Sequence, residues 1–407
     1  MKIIEGHHEI EVPDGVPVWD VDPYDVNILQ DPGDYYAELR SKGPFVFIPK
    51  YSILACGRHK ETKEVFSDWE RFVSSRGVGL QDFDLEEPWR PRSIILEVDP
   101  PDHAITRRVL ARALSPKATA ALKEDFQIAA DNLIDELLAK GSFEAVVELA
   151  EEFPTTVFPK AVGLKEKNNR ALVDYGAMVF NALGPDNELR RNAMAMGPTT
   201  VPWIVEQCSR KNLKNEGFGA TIFAAADAGD INEEQAEKLV RSLLSAGVDT
   251  TVTGIGSALW CLASFPDQFK RLKDDPSLMR PAFEEVLRFT SPVHSFCRTA
   301  NGDTEVSGIK IAEGSKILCV LGAANADETQ WEAPNKFDIG RRPTGHLAMG
   351  TGIHGCVGQN LARAEVAAVL TSILNKVDKI EFTGEAVWRP NNAIHALDKL
   401  PLTFKAA

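Results

Sequence analysis

Between Ser242 and Ser264 the chain runs for 23 residues with a single charge, Asp249. A stretch of that length can cross the ~30 Å hydrocarbon layer of a bilayer, or it can run as a helix through a core large enough to bury it on every side. Ser242, Ser245, Thr250, Thr251, Thr253, Ser257, Ser264 and three glycines argue against lipid, as does the absence of any second apolar span. The remaining solution is a long helix in the middle of a large protein core. At 407 residues, with 44% hydrophobic and 26% charged side chains, the chain is long enough and mixed enough to build one.

A formal charge of −14 sets the whole chain against nucleic-acid phosphates and anionic membranes, so neither is expected as a partner. Met1 to Glu11 has no basic segment followed by an apolar one, which points to a cytoplasmic protein. Six cysteines (Cys56, Cys208, Cys261, Cys297, Cys319, Cys356) stand singly at wide spacings, without the pairs of a zinc site or a disulfide framework. Five of the six have no notable surroundings and read as buried, reduced thiols.

Turn residues are dense near both ends. A helical stretch precedes Gly43-Pro44, and Phe45–Ile48 with Ser52–Ala55 reads as a hairpin. After Pro100-Pro101 the apolar spacing is helical to about Phe289, with breaks at Gly141, Gly163, Gly184 and Pro198. Short strands return from Val306 to Leu321 and from Ile380 to Phe404. No repeat or linker divides the chain. The expectation is one domain over residues 1–407, mainly α with a small β region, its sheet built from both termini.

The stretch from His346 to Arg363 is the richest in chemistry. Three glycines precede Cys356 and one follows it, so the backbone can fold tightly and approach a flat partner closely. A helical pattern starts at Gln359 and runs to Leu374, placing the sulfur at a helix N-terminus, where free amides and the dipole favour a thiolate that can ligate metal. On these residues alone, an inert cysteine in a Gly-rich loop is the usual outcome for a lone Cys.

Met349 to Gly358 follows the pattern Phe-Gly-x-Gly-x-His-x-Cys-x-Gly except for Met349 at its first position. Through this segment the chain resembles the cytochrome P-450 superfamily. Further motifs fall in that family's order: Ala246-Gly-Val-Asp-Thr250, Glu285-Val-Leu-Arg288, and Phe337-Asp338 followed by Arg341. The resemblance implies the P-450 fold and a non-covalent haem b (iron protoporphyrin IX) with Cys356 as its thiolate metal ligand. It implies propionate contacts from His103, Arg107, Arg298 and His346, and a structural triad of Glu285, Arg288 and Arg341. Asp249 and Thr250 would be catalytic, delivering protons on the side where O2 binds. Without the resemblance, each arginine or histidine taken singly reads as a solvated side chain, and Thr250 as a hydroxyl bonded back to the carbonyl four residues earlier.

The chain has no flavin or iron–sulfur motif, so the same resemblance implies electrons from a 2Fe–2S ferredoxin and its NAD(P)H-dependent reductase. Arg107, Arg108, Arg112, Lys117 and Lys123, with no acid between Ala104 and Lys123, read either as a docking patch for an acidic ferredoxin or as a solvated helix face. Pro88–Leu96, Tyr175–Arg190, Arg241–Ser245 and Ser291–Phe296 are similar to the bacterial enzymes that O-demethylate para-methoxybenzoate. That similarity implies Arg90, Ser93, Arg241, Ser242 and Ser245 around a substrate carboxylate. Leu96, Phe180, Leu183, Ala246, Val293 and Phe296 would surround the ring, with Leu183 where a second phenylalanine is expected. Other readings are a P-450 acting on another small hydrophobic substrate, a peroxide-driven haem enzyme, and a haem sensor. Neither a sensor nor a peroxide-driven enzyme needs the Asp249-Thr250 pair.

Overall fold

The computed structural model describes residues 9–407. The reading of the first eleven residues as lacking a leader therefore falls largely outside the described residues. Helices occupy the centre of the chain, and their boundaries follow local chemistry. Asn232 opens the helix Glu233–Ala246 with a full capping box, its side chain accepting from the Gln235 amide while the Gln235 side chain accepts from its own amide. Asn168 and Asn187 cap the helices Asn169–Asn181 and Glu188–Met194 more simply, each side chain accepting from one amide, of Ala171 and Arg190 respectively. Gly163, in the left-handed region at φ 92°, ends the helix Glu152–Val162.

The 23-residue apolar stretch is not one helix. Glu233–Ala246 ends with the Gly247 amide still bonded to the Leu243 carbonyl, Val248 stands between, and a second helix spans Asp249–Ser264. The break has a packing cause: a Cβ on Gly247 would lie 2.2 Å from Cζ of Phe158, so only glycine lets Phe158 lean against the backbone here. Asp249–Ser264 is buried on nearly every side, as the composition requires. Among the described residues no helix is long and apolar enough to cross a membrane.

The hairpin forms as expected, Val46–Ile48 against Ile53–Cys56 with Val46 opposite Ala55. It belongs to a five-stranded sheet whose order runs Val46–Ile48, Ile53–Cys56, Lys316–Val320, Ser295–Ala300, Phe72–Val73. The C-terminal strands do not join it, which corrects the expectation of one sheet built from both termini. Val377–Phe382 and Pro401–Ala406 instead form a three-stranded sheet with Ser142–Glu144, a strand from inside the helical body that the Gly141 break concealed. Glu285 lies fully buried beside that body, accepting from Arg288 at 2.8 and 2.9 Å and from Arg341 at 3.0 Å, so the three charges anticipated as a triad meet.

Candidate active site

One large cavity opens between the broken helix and the loop around Cys356. It is lined mainly by apolar side chains with a few polar groups among them, the make-up of a small-molecule site. One wall is made by Ser242, Ser245, Ala246, Gly247, Thr250 and Thr251, the facing wall by Met349, Gly350, His354, Cys356 and Val357. Cys356 is half-buried and lines this space, whereas the other five cysteines are buried elsewhere. The thiol is pushed up by burial and pulled down by the Gly358 amide and by Arg107 and Arg363. A thiophilic metal at the sulfur would reverse that balance, because coordination deprotonates a thiol outright.

Next to the cysteine loop, polar groups converge without partners. His103 Nε2 and Arg298 Nη2 are buried and make no hydrogen bond, and His354 Nε2 has only Asp99, at 3.7 Å. The rings of His103 and His354 lie 4.4 Å apart, and burial followed by the neighbouring His354 and Arg107 holds His103 down at about 4. Arg298 sits over the Phe66 ring at 4.0 Å, and burial brings it down to about 10. Orphaned donors of this kind are costly, and a ligand bearing carboxylates would satisfy them. The donor set and the sulfur together fit a haem with its propionates.

His346 is not in this group. Its Nε2 meets Glu284 at 2.9 Å, and Glu284 also takes two bonds from Arg363. Burial would raise Glu284, but these bonds outweigh it and hold the carboxyl at about 2. The histidine at the cavity is His354, two residues before the cysteine. The motif contained it, yet the sequence reading gave its role to His346.

The distal residues also divide. Thr250 lines the cavity and donates to the Ala246 carbonyl at 2.7 Å, holding open the turn at Gly247. Asp249 points the other way. It is buried against Gly176, where an added Cβ would come within 2.6 Å, and meets Arg389 at 3.3 Å, with its second oxygen unpartnered. Burial raises its pKa, and Arg389 opposes the rise. Arg389 comes from the strand Val387–Arg389, far away in sequence, and no local signal announced it. Another acid was missed: Glu365 is fully buried on the helix Gln359–Lys376 with neither oxygen hydrogen-bonded, and burial lifts it to about 8.

The same cavity is lined by Ser93, Leu96, Phe180, Leu183, Arg241, Ser242, Ser245, Ala246, Val293 and Phe296, so the structure brings the anticipated substrate residues together. Arg90 is present but committed. Its guanidinium makes a bidentate pair with buried Glu97 at 2.9 and 3.0 Å, which anchors this loop at the cavity wall. Arg241 reaches the Pro91 carbonyl at 3.0 Å, fastening the same loop to the helix Glu233–Ala246. Ser242 and Ser245 donate to the carbonyls of Lys238 and Ser242. Tyr175, not singled out as a lining residue, also lines this cavity.

Residues 164–392, more than half of the chain, match the family model for Cytochrome P-450. The chain is 48% identical over 394 residues to cytochrome P-450 CYP199A2 of Rhodopseudomonas palustris, covering 97% of this chain and 96% of that one. A biotin biosynthesis cytochrome P-450 of Bacillus subtilis is 26% identical over 393 residues, covering 93% and 97%. The solved structure of cytochrome P-450 CYP109Q5 from Chondromyces apiculatus superposes with a TM-score of 0.79 at 28% identity, covering 95% of this chain and 99% of that one. Together with a cysteine loop facing a broken, Thr-lined helix across one cavity, these likenesses lead to one conclusion: the chain belongs to the cytochrome P-450 family and is a monooxygenase.

Proposed function

We propose that this monooxygenase oxidises small aromatic carboxylic acids and O-demethylates para-methoxybenzoate. The carrying observation is the mixed chemistry of one cavity, which joins the thiol and the orphaned donors beside it to the hydroxyls of Ser242 and Ser245, Arg241, and the apolar side chains of Leu96, Phe180, Val293 and Phe296. Cys356, His103, Arg107, Arg298 and His354 would hold the haem, which when bound supplies oxygen activation and insertion.

The protein's own residues orient the acid and handle protons. Ser242 and Ser245 can turn their hydroxyl hydrogens from helix carbonyls to a carboxylate, and Arg241 adds charge. Charge-assisted bonds of this kind contribute about 1.5–3 kcal/mol each, against a desolvation cost of several. The apolar side chains then orient the para substituent toward the thiol. Thr250 offers a hydroxyl at the cavity wall, and Asp249 behind it can pass a proton through the opened turn. Hydroxylation of the methoxy carbon, consuming O2, two electrons and two protons and releasing water, leaves a hemiacetal that collapses to formaldehyde and para-hydroxybenzoate.

The electrons come, in this reading, from a 2Fe–2S ferredoxin served by an NAD(P)H-dependent reductase. Arg108, Arg112, Lys117 and Lys123 are exposed, although Arg112 already meets Asp230, while Arg107 lines the cavity that Cys356 shares. Optical titration tests the proposal. Para-methoxybenzoate should shift the ferric haem to high spin and bind far more tightly than anisole or the amide, and the reduced carbonyl complex should show the red-shifted band of a thiolate ligand. Equal affinity for acid and neutral analogue rejects the carboxylate pocket; a histidine-type band rejects Cys356 as ligand.

A further inference from the structure

Lys316 opens the strand Lys316–Val320, paired with Thr299 of the neighbouring strand, and is only 4% exposed. Among the described residues its ammonium has no carboxylate within ion-pair distance. Instead Nζ donates to four backbone carbonyls of one loop: Arg76 at 3.1 Å, Gly77 at 3.3 Å, Gly79 at 3.2 Å and Gln81 at 2.6 Å. Four carbonyl oxygens turned to one point repel each other, and only a cation at the centre makes the arrangement favourable. An ammonium with three protons serves four acceptors by sharing one of them. The loop is wound around the lysine as a chain is wound around a bound monovalent ion.

The ring leads to the cavity in two steps. Between its carbonyls, Leu80 donates to the Leu183 carbonyl at 2.9 Å, and Gly79 lies so close that a Cβ there would meet that oxygen at 2.5 Å and the Leu183 Cα at 2.7 Å. Leu183 lines the cavity where the sequence pattern led us to expect an aromatic ring. On the other side, Val78 accepts from the Cys297 amide at 2.7 Å, the residue between Phe296 and Arg298. The chain then continues into the segment that carries Ser93 and Leu96.

We propose that Lys316 is a positioning residue for the substrate pocket, its ammonium occupying a built-in monovalent-cation site whose carbonyl ring fixes where Leu183 stands and so sets the affinity for the aromatic acid. The inference rests on the proposed aromatic-acid function for its substrate, while the ring itself rests on geometry alone.

The test uses the haem-loaded protein with Lys316→Met, Lys316→Gln and Lys316→Ala. Lys316→Met should keep the thiolate carbonyl band, weaken para-methoxybenzoate binding by about tenfold or more, and speed hydrogen exchange of the amides at 77–83. Lys316→Gln, with two donors and no charge, should fall between and serves where the methionine variant does not fold. In Lys316→Ala the vacated centre is open to small cations, so ammonium or potassium chloride should restore affinity and loop protection where choline chloride at equal ionic strength does not. Unchanged affinity and exchange in Lys316→Met would overturn the proposal, as would a loss in Lys316→Ala that no small cation repairs. Failure of the wild-type protein to bind the acid would reject the function reading instead, and the exchange data would still decide whether the ring holds the loop.

Discussion

Glu365 carries the most quantitative prediction. It is fully buried on the helix Gln359–Lys376 with both oxygens free of hydrogen bonds, and burial raises it to about 8 from an ordinary value of 4.5, with Thr251 the neighbour that opposes the rise. The unfolded chain releases this proton near pH 4.5 and the folded protein keeps it to about 8. The folded state therefore binds more protons across that interval, and its stability falls as pH rises. The stabilising contribution is complete below the unfolded value and is lost on the way up. At about 1.36 kcal/mol per unit, the loss is about 1 kcal/mol at pH 5 and about 4 kcal/mol at pH 7.5, as an order of magnitude. Glu365→Gln keeps the shape of the neutral acid and cannot ionise. Denaturant unfolding of wild type and variant, followed by circular dichroism from pH 5 to 8, should show the variant gaining stability relative to wild type with each unit. A difference that stays constant over this range would refute the reasoning, because it would mean that the carboxyl titrates alike in both states.

Asp249→Asn should slow turnover by about 10²-fold with little change in substrate affinity, and Thr250→Ala should divert reducing equivalents to peroxide, read as oxygen consumed per formaldehyde formed. Arg389→Gln removes the positive charge that lowers the Asp249 pKa, so any limb of the rate profile due to Asp249 should move to higher pH, tested by kcat from pH 6 to 9. Glu285→Gln leaves two guanidiniums facing a neutral group in a buried site and should cost about 3–5 kcal/mol, visible as a lower unfolding midpoint and weaker haem retention.

Local signals in the sequence went as far as local chemistry reaches. Glycine spacing around Cys356 and the hairpin were legible because each depends on a few adjacent residues. The break at Gly247 was half legible: Thr250 back to Ala246 could be anticipated from spacing, but the complete end of one helix depends on Phe158, 89 positions away, pressing on the glycine. Arg389, Glu97 and Glu284 were hidden for the same reason, since each acquires its role from a partner that the sequence does not adjoin. His354 is the opposite case. It stood inside the recognised motif and was passed over for His346, although its place two residues before the ligand is what brings its ring to His103.

The strand Pro401–Ala406 lies between Ser142–Glu144 and Val377–Phe382, with Leu402 facing Phe143 on one side and Phe382 on the other. The partner of Ser142–Glu144 thus stands more than 250 residues further along the chain. Phe143, whose ring packs on Phe404 at 4.8 Å, joins the two across that distance. Contacts of such long range form late and slowly, because the loop must close before the pairing rewards it. This edge of the helical body is therefore expected to be among the later parts of the fold to set.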